Sequence, residues 1–61
     1  MTIDFYIDGS YIGCGSYDSE AGLWESSVDL GDAGDAIEAA LNDGDREGKI
    51  GNIEFRVRSK P

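Results

Sequence analysis

Carboxylates dominate the side chains that could do chemistry in this chain. Thirteen of its 61 residues are Asp or Glu, five are Lys or Arg, and none is His. The commonest general base and metal ligand is therefore missing. Paired carboxylates can serve as acid and base, but only in a cleft that excludes water, which a chain of this length does not offer. Ser26 and Ser27 have no base beside them, and Cys14 has no histidine partner. We therefore expect a protein that is not an enzyme.

Two short patterns come close to ligand-binding motifs. The segment Asp43-Gly44-Asp45-Arg46-Glu47 resembles a fragment of a calcium loop, but its spacing differs from D-x-[DN]-x-[DN]-G and the terminal glutamate is missing. Gly13-Cys14-Gly15 lacks the third glycine of a nucleotide fingerprint, and no helix follows it. We expect no metal and no cofactor.

Charge is distributed unevenly along the chain. Residues 1–45 hold eleven of the acidic side chains and no basic one, whereas all five basic side chains lie in residues 46–61, and the net charge is −8. Such a chain repels phosphates, which disfavours nucleic acid and anionic membranes as direct partners. It attracts basic proteins and speeds their association. We expect a basic protein partner.

Length and cysteine content indicate a small cytoplasmic protein. Sixty-one residues form a single domain, 1–61, near the lower limit for folding without disulfides or metal. The single cysteine excludes an internal disulfide and suits a reducing compartment. Met1 is followed at once by a strand-like run containing Asp4, so no signal peptide is expected. No apolar run reaches membrane-spanning length. We expect a monomer.

Residues 29–45 predict the one helix that must position most of the acids. Its apolar stripe comprises Ala33, Ala36, Ile37, Ala40 and Leu41. Asp32 is a candidate N-cap, and Gly44 is a typical residue after a helix end. On the outer side Asp35, Glu38, Asn42 and Asp45 follow i, i+3, i+4 spacing.

The first two strands are predicted by alternation and a turn. Residues 2–7 alternate, and Asp8-Gly9 indicates a type I′ hairpin. A two-residue loop puts Tyr6 opposite Tyr11 on the outer face, and it puts Phe5 opposite Ile12 and Ile3 opposite Cys14 on the inner face. The glycines flanking Cys14 indicate a twisted or bulged strand, or a close approach by another chain.

Two further strands complete the pattern. A third spans residues 23–30, with Trp24, Val28 and Leu30 inward and Leu23 and Glu25 outward. A polar loop covers residues 45–51, and a last strand covers residues 52–58. The expected core is Ile3, Phe5, Ile7, Ile12, Cys14, Trp24, Val28, Leu30, Ile37, Ala40, Leu41, Ile53, Phe55 and Val57.

These elements predict an α+β fold with a four-stranded sheet in the order βββαβ and one helix packed on one face. The fourth strand would run parallel to the first and third. Placed beside the first strand by a right-handed crossover, it gives a β-grasp-like layout. The alternative places it beside the third strand. The other sheet face, with Tyr6, Tyr11, Tyr17 and Leu23, is expected to stay open.

The acids of the helix region would form an anionic ridge. The candidate partner-binding residues are Asp29, Asp32, Asp35, Glu38, Asp43, Asp45, Glu25, Tyr6 and Tyr11. In size, acidity and absence of catalytic motifs the chain resembles the small phage-encoded inhibitors of bacterial defence, the anti-CRISPR and DNA-mimic proteins. That resemblance implies an inhibitor that binds the DNA-recognition surface of a CRISPR effector subunit in the cytoplasm of the host bacterium.

Two other functions fit the same residues. A β-grasp-like adaptor would bind its partner through the open tyrosine-bearing face or a sheet edge. A salt-adapted cytosolic protein would use its acidity for solubility alone.

Overall fold

The computed structural model describes residues 1–20, 22–25 and 28–58, without the side chains of Trp24 and Glu25. The inward placement of Trp24 and the outward placement of Glu25 therefore lie outside the described residues. Within them the fold is α+β, as predicted, with one helix and a five-stranded antiparallel sheet in the order β3-β2-β1-β5-β4. The elements are β1 (Thr2–Ile7), β2 (Ser10–Asp18), β3 (Gly22–Glu25), α1 (Asp32–Asn42), β4 (Glu47–Ile50) and β5 (Ile53–Val57).

The β4–β5 hairpin corrects the predicted topology. Residues 47–50, expected to be loop, form an edge strand that turns into β5 through Gly51-Asn52. Gly51 has a φ of 63°, which suits the first central position of a type II′ turn. The extra strand reverses the chain once more, so β5 runs antiparallel to β1 and lies beside it, which is one of the two placements that the sequence left open. The parallel, β-grasp-like arrangement is therefore wrong.

A bulge in β2 corrects the predicted register. The I′ turn is confirmed by positive φ at Asp8 and Gly9, and Tyr6 lies opposite Tyr11 as expected. Beyond that pair the register shifts at Ile12, so Phe5 pairs with Gly13. A one-residue shift exchanges the two faces of a strand. The expected pairs of Phe5 with Ile12 and of Ile3 with Cys14 are therefore wrong.

The face exchange changes which β2 side chains are buried. Cys14 pairs with Asp4 on the outer face and leaves the core, whereas Tyr17, expected on the open face, is buried. Leu23 pairs with Tyr17 and packs against the core, so its predicted outward placement is also wrong. The third strand ends at Glu25, and Val28, Asp29 and Leu30 have no regular structure.

The helix forms where its periodicity places it, but it begins on a different cap. Gly31 is the N-cap and Asp32 is the first helical residue, because the carboxylate of Asp29 accepts the Gly31 N–H at 3.2 Å and turns the chain earlier. Asp32 as N-cap is therefore wrong. The end at Gly44 is confirmed: its N–H reaches Leu41 O at 3.0 Å, and Asp45 N–H reaches Ala40 O at 3.0 Å, a Schellman motif.

The core lies between α1 and the sheet, whose two edge strands both contact the helix. Ala36 is exposed, contrary to the predicted stripe, and Gly34 is buried instead. A Cβ at Gly48 would lie 2.8 Å from the Phe55 ring, so β4 can cover that ring only with glycine there. The buried apolar residues are Ile3, Phe5, Tyr17, Leu30, Ile37, Leu41 and Phe55. Around them pack Ile12, Leu23, Val28, Ala33, Ala40, Ile50, Ile53 and Val57.

Candidate partner-binding surfaces

The acidic ridge follows the helix region on the side away from the sheet. We use this name for Asp29, Asp32, Asp35, Glu38, Asp43 and Asp45. All of them are exposed except Glu38, which is half-buried. At a rise of about 1.5 Å per residue the eleven residues of α1 are about 16 Å long. Along the axis, Asp32, Asp35 and Glu38 lie about 4.5 Å apart and Asp43 about 7.5 Å further on. The mean of about 5.5 Å is wider than the ~3.4 Å per phosphate of one DNA strand.

Glu38 differs from the rest of the ridge. A Cβ on Gly22 would lie 2.6 Å from its Oε2, so its carboxylate sits against the backbone of β3. The middle of the helix thus lies next to an edge strand. Glu38 is therefore on the flank of the ridge, whereas Asp32, Asp35 and Asp43 form its exposed centre.

The two ends of the ridge meet the helix dipole with opposite effects. Asp32 and Asp35 lie in the first turn, where negative charge is favourable. Asp43 is the C-cap and Asp45 follows it, and the last turn contains no basic residue. Carboxylates at that end oppose the dipole at a cost of about 0.3–1 kcal/mol each. Their placement lengthens the anionic array but does not help the helix.

The ion pairs of the described residues lie away from the ridge. Both ion pairs within residues 1–20, 22–25 and 28–58 are on the sheet: Arg58 with Asp4, and Arg56 with Glu54. Neither contains a carboxylate of the ridge. The ridge therefore keeps its charge available to another molecule.

The opposite side of the molecule is the outer sheet face, on which aromatic and charged side chains are interleaved. Tyr6 and Tyr11 meet edge to face with ring centroids 5.7 Å apart, and the Arg56 guanidinium lies 5.4 Å from the centre of the Tyr6 ring. Such contacts contribute about 0.5–1 kcal/mol each at exposed positions. We define this face by Asp4, Tyr6, Tyr11, Cys14, Glu47, Lys49, Glu54, Arg56 and Arg58.

Arg58 and Asp4 form a two-pronged ion pair across β5 and β1. Arg58 Nη2 donates to Asp4 Oδ1 at 2.6 Å, and its Nε donates to Oδ2 at 3.2 Å. The hydrogen bond with this carboxylate raises the pKa of Arg58 above its ordinary value. The guanidinium is thereby held in one orientation on the face.

Cys14 lies beside Tyr11 on the same face as a consequence of the bulge. A hydrogen bond between the two side chains raises the pKa of Tyr11 above its ordinary value of 10.0. The neutral phenol donates to the sulfur, and this donor is lost when the phenol ionises.

The β4–β5 hairpin adds a shallow open groove at one side of the face. Glu47, Lys49, Glu54 and Arg56 line it, with Gly48 at its floor. Charges of both signs alternate along it. The sequence-based prediction missed Glu47 and Lys49 here because β4 was expected to be loop, although Gly51-Asn52 is a recognised hairpin dipeptide.

The predicted site residues thus fall on two separate surfaces. The six ridge acids lie on the helix side, whereas Tyr6 and Tyr11 lie together on the outer sheet face. The side chain of Glu25 lies outside the described residues.

Comparison with protein-family models, curated proteins and solved structures finds no match to this chain. Among the described residues there is no cluster of three or more potential metal-ligating side chains. The helix found in that part of the chain is too short and too polar to cross a membrane.

Proposed function

We propose that this protein is a binding inhibitor that presents the acidic ridge to a basic nucleic-acid-binding surface as a substitute for DNA phosphates. The intended partner is a basic protein, a subunit of a CRISPR-type effector in a bacterial defence system. The protein acts by occupying that surface and not by catalysis.

The observation that carries this proposal is the exposure of the ridge carboxylates together on the helix side of the molecule. Asp32 and Asp35 are exposed on α1 and Asp43 is exposed at its C-cap, whereas both ion pairs among the described residues are on the sheet. A preorganised anionic array attracts a basic cleft over distances comparable with the Debye length. The unfavourable carboxylates after the helix end fit the same purpose, because they extend the array at a cost in stability.

The experiment is a DNA-binding assay with a panel of purified CRISPR effector complexes. Electrophoretic mobility of target DNA is measured with and without the protein at about 50, 150 and 400 mM salt. We expect at least one effector to lose DNA binding, with the inhibition weakening as salt rises.

The matched variants are two double charge reversals with the same net change. Asp35→Lys with Asp43→Lys alters the centre of the ridge, whereas Glu20→Lys with Glu47→Lys alters exposed acids away from it. We expect the first pair to weaken inhibition at least about tenfold, and the second to change it less than about threefold. Equal effects of the two pairs would show that net charge alone acts, and no inhibition of any effector would remove the proposal.

A second candidate, binding through the outer sheet face, is supported by the ordered Tyr6–Tyr11–Arg56 contacts. If the acidity served only solubility, as in a salt-adapted protein, the protein would unfold in dilute buffer and refold in molar salt. Circular dichroism at graded salt concentrations tests this.

A further inference from the structure

The outer sheet face differs from the rest of the protein in its charge balance. Three acidic side chains, Asp4, Glu47 and Glu54, are matched there by three basic ones. Asp18 lies at the far end of β2, at the rim of the face. A molecule with a net charge of −8 thus has one broad side that is nearly neutral.

The geometry points to this face as a contact between two copies of the protein, related by a twofold axis. This inference goes beyond the proposed inhibitor function and does not depend on it. It departs from the monomer expected from the sequence, which showed the net charge but not the hairpin that balances this side.

Charge complementarity selects a second copy as the occupant. Two molecules of charge −8 repel each other, and contact through the ridges would oppose their carboxylates directly. Contact through the outer sheet faces opposes alternating acids and bases, which a twofold axis can pair because each copy supplies both signs. Tyr11, 55% exposed, supplies apolar surface that such a contact buries.

Order on the face lowers the cost of docking. Arg56 is held by Tyr6 and Glu54, and Arg58 is held by Asp4, so these long side chains lose little freedom on association. Five strands spaced about 4.8 Å apart, each about 17 Å long, give a face of roughly 400 Å² per copy. A stable interface buries about 800 Å² per partner, so we infer a weak dimer with a dissociation constant in the micromolar to millimolar range.

The test is sedimentation equilibrium of the full chain from about 10 μM to 1 mM, in about 10 mM and about 500 mM NaCl. Salt screens the repulsion between the two −8 charges, so the dimer dissociation constant is expected to fall at least about tenfold from the low to the high salt. A monomer at 1 mM in the high salt would overturn the inference, as would association that weakens with added salt.

Two variants of equal net charge locate the contact. Tyr11→Asp adds a carboxylate on the outer sheet face, and Ala36→Asp adds one on the exposed side of the helix. We expect Tyr11→Asp to raise the dissociation constant at least about tenfold and Ala36→Asp to raise it less than about twofold. The reverse order, or equal effects, would overturn the assignment to this face.

Circular dichroism verifies that each variant is folded. If Tyr11→Asp is unfolded, Lys49→Glu replaces it, with Ala36→Asp plus Ala39→Asp as the control of equal net charge. A larger increase of the dissociation constant with Lys49→Glu than with its control supports the inference. Equal increases, or a larger increase with the control, contradict it.

Discussion

The helix side and the outer sheet face of this small protein handle charge in opposite ways. On the helix side six carboxylates stand together, and the ion pairs of the described residues lie elsewhere. On the outer sheet face Arg56 and Arg58 are each held by a neighbouring acid, and a tyrosine pair lies between the charges. One side keeps its charge available, and the other neutralises it internally.

The difference predicts opposite responses to salt. Binding of a cationic partner to the ridge depends on unscreened attraction and weakens as salt is added. Association of two copies through the neutral face is opposed by the overall repulsion and strengthens as salt is added. The same reagent therefore separates the two surfaces.

The largest expected effect comes from a substitution in the core that lies between the two surfaces. Phe55→Ala deletes a ring that is 1% exposed and pairs with Phe5, and we expect it to lower the free energy of unfolding by about 3–5 kcal/mol. Urea unfolding followed by circular dichroism measures this. Tyr11→Ala is the exposed control, with an expected cost below about 1.5 kcal/mol. Equal costs at the two positions would contradict the described core.

A smaller effect concerns the bond that ties the sheet to the helix. The Tyr17 hydroxyl donates to Asn42 Oδ1 at the last turn of α1. Tyr17→Phe is expected to lower the free energy of unfolding by about 1 kcal/mol, since one part-buried hydrogen bond is lost. Tyr6→Phe, on the outer sheet face, is the control and should cost less. A greater loss from Tyr6→Phe would show that the link between the layers lies elsewhere.

The helix ends provide a test in which stability and binding change in opposite directions. Asp43→Asn removes a carboxylate that opposes the helix dipole, so we expect about 0.3–1 kcal/mol of added stability together with weaker effector inhibition. Asp32→Asn removes the same charge from the N-terminal end, where it is favourable, and should lower both the stability and the effector inhibition. Thermal unfolding and the mobility assay measure the two quantities. A stability change of the same sign in both variants would contradict the dipole argument.

The smallest effect is the titration of Tyr11. Cys14→Ala removes the hydrogen bond that raises the pKa of Tyr11, so that pKa is expected to fall toward its ordinary value. Because the folded state favours the neutral phenol, the stabilisation is present below the ordinary tyrosine pKa and is lost as pH rises through the folded value. NMR of labelled tyrosine ring carbons follows each residue separately. No change in Cys14→Ala would show that the two side chains do not interact.

The helix and the first hairpin were predictable because their signals are local. Helical periodicity placed α1 and Gly44 marked its end, and Asp8-Gly9 specified the turn that sets Tyr6 opposite Tyr11. The α+β class followed from these elements. The ridge was predicted as a group, since its members are close in sequence.

The remaining features depend on tertiary contacts. The bulge at Ile12 moved Cys14 outward and Tyr17 inward, because a single extra residue exchanges faces that alternation alone cannot assign. Residues 47–50, with Gly48 among them, lack a strand signal of their own, and they pair because β5 and the Phe55 ring are beside them. Because this strand was not predicted from the sequence, the predicted direction of the last strand was wrong. The charge balance of the outer sheet face was also not predicted.

The most direct test of the two-sided charge arrangement is an NMR titration of the ¹⁵N-labelled protein with a ten-residue oligolysine at low salt. We predict that amide shifts change in residues 29–45 and disappear again at about 500 mM NaCl, while the amides of β1, β2 and β5 stay nearly constant. Shifts spread evenly over the molecule, or concentrated around Tyr6 and Tyr11, would contradict the claim that the acidic ridge is the surface that attracts a basic partner.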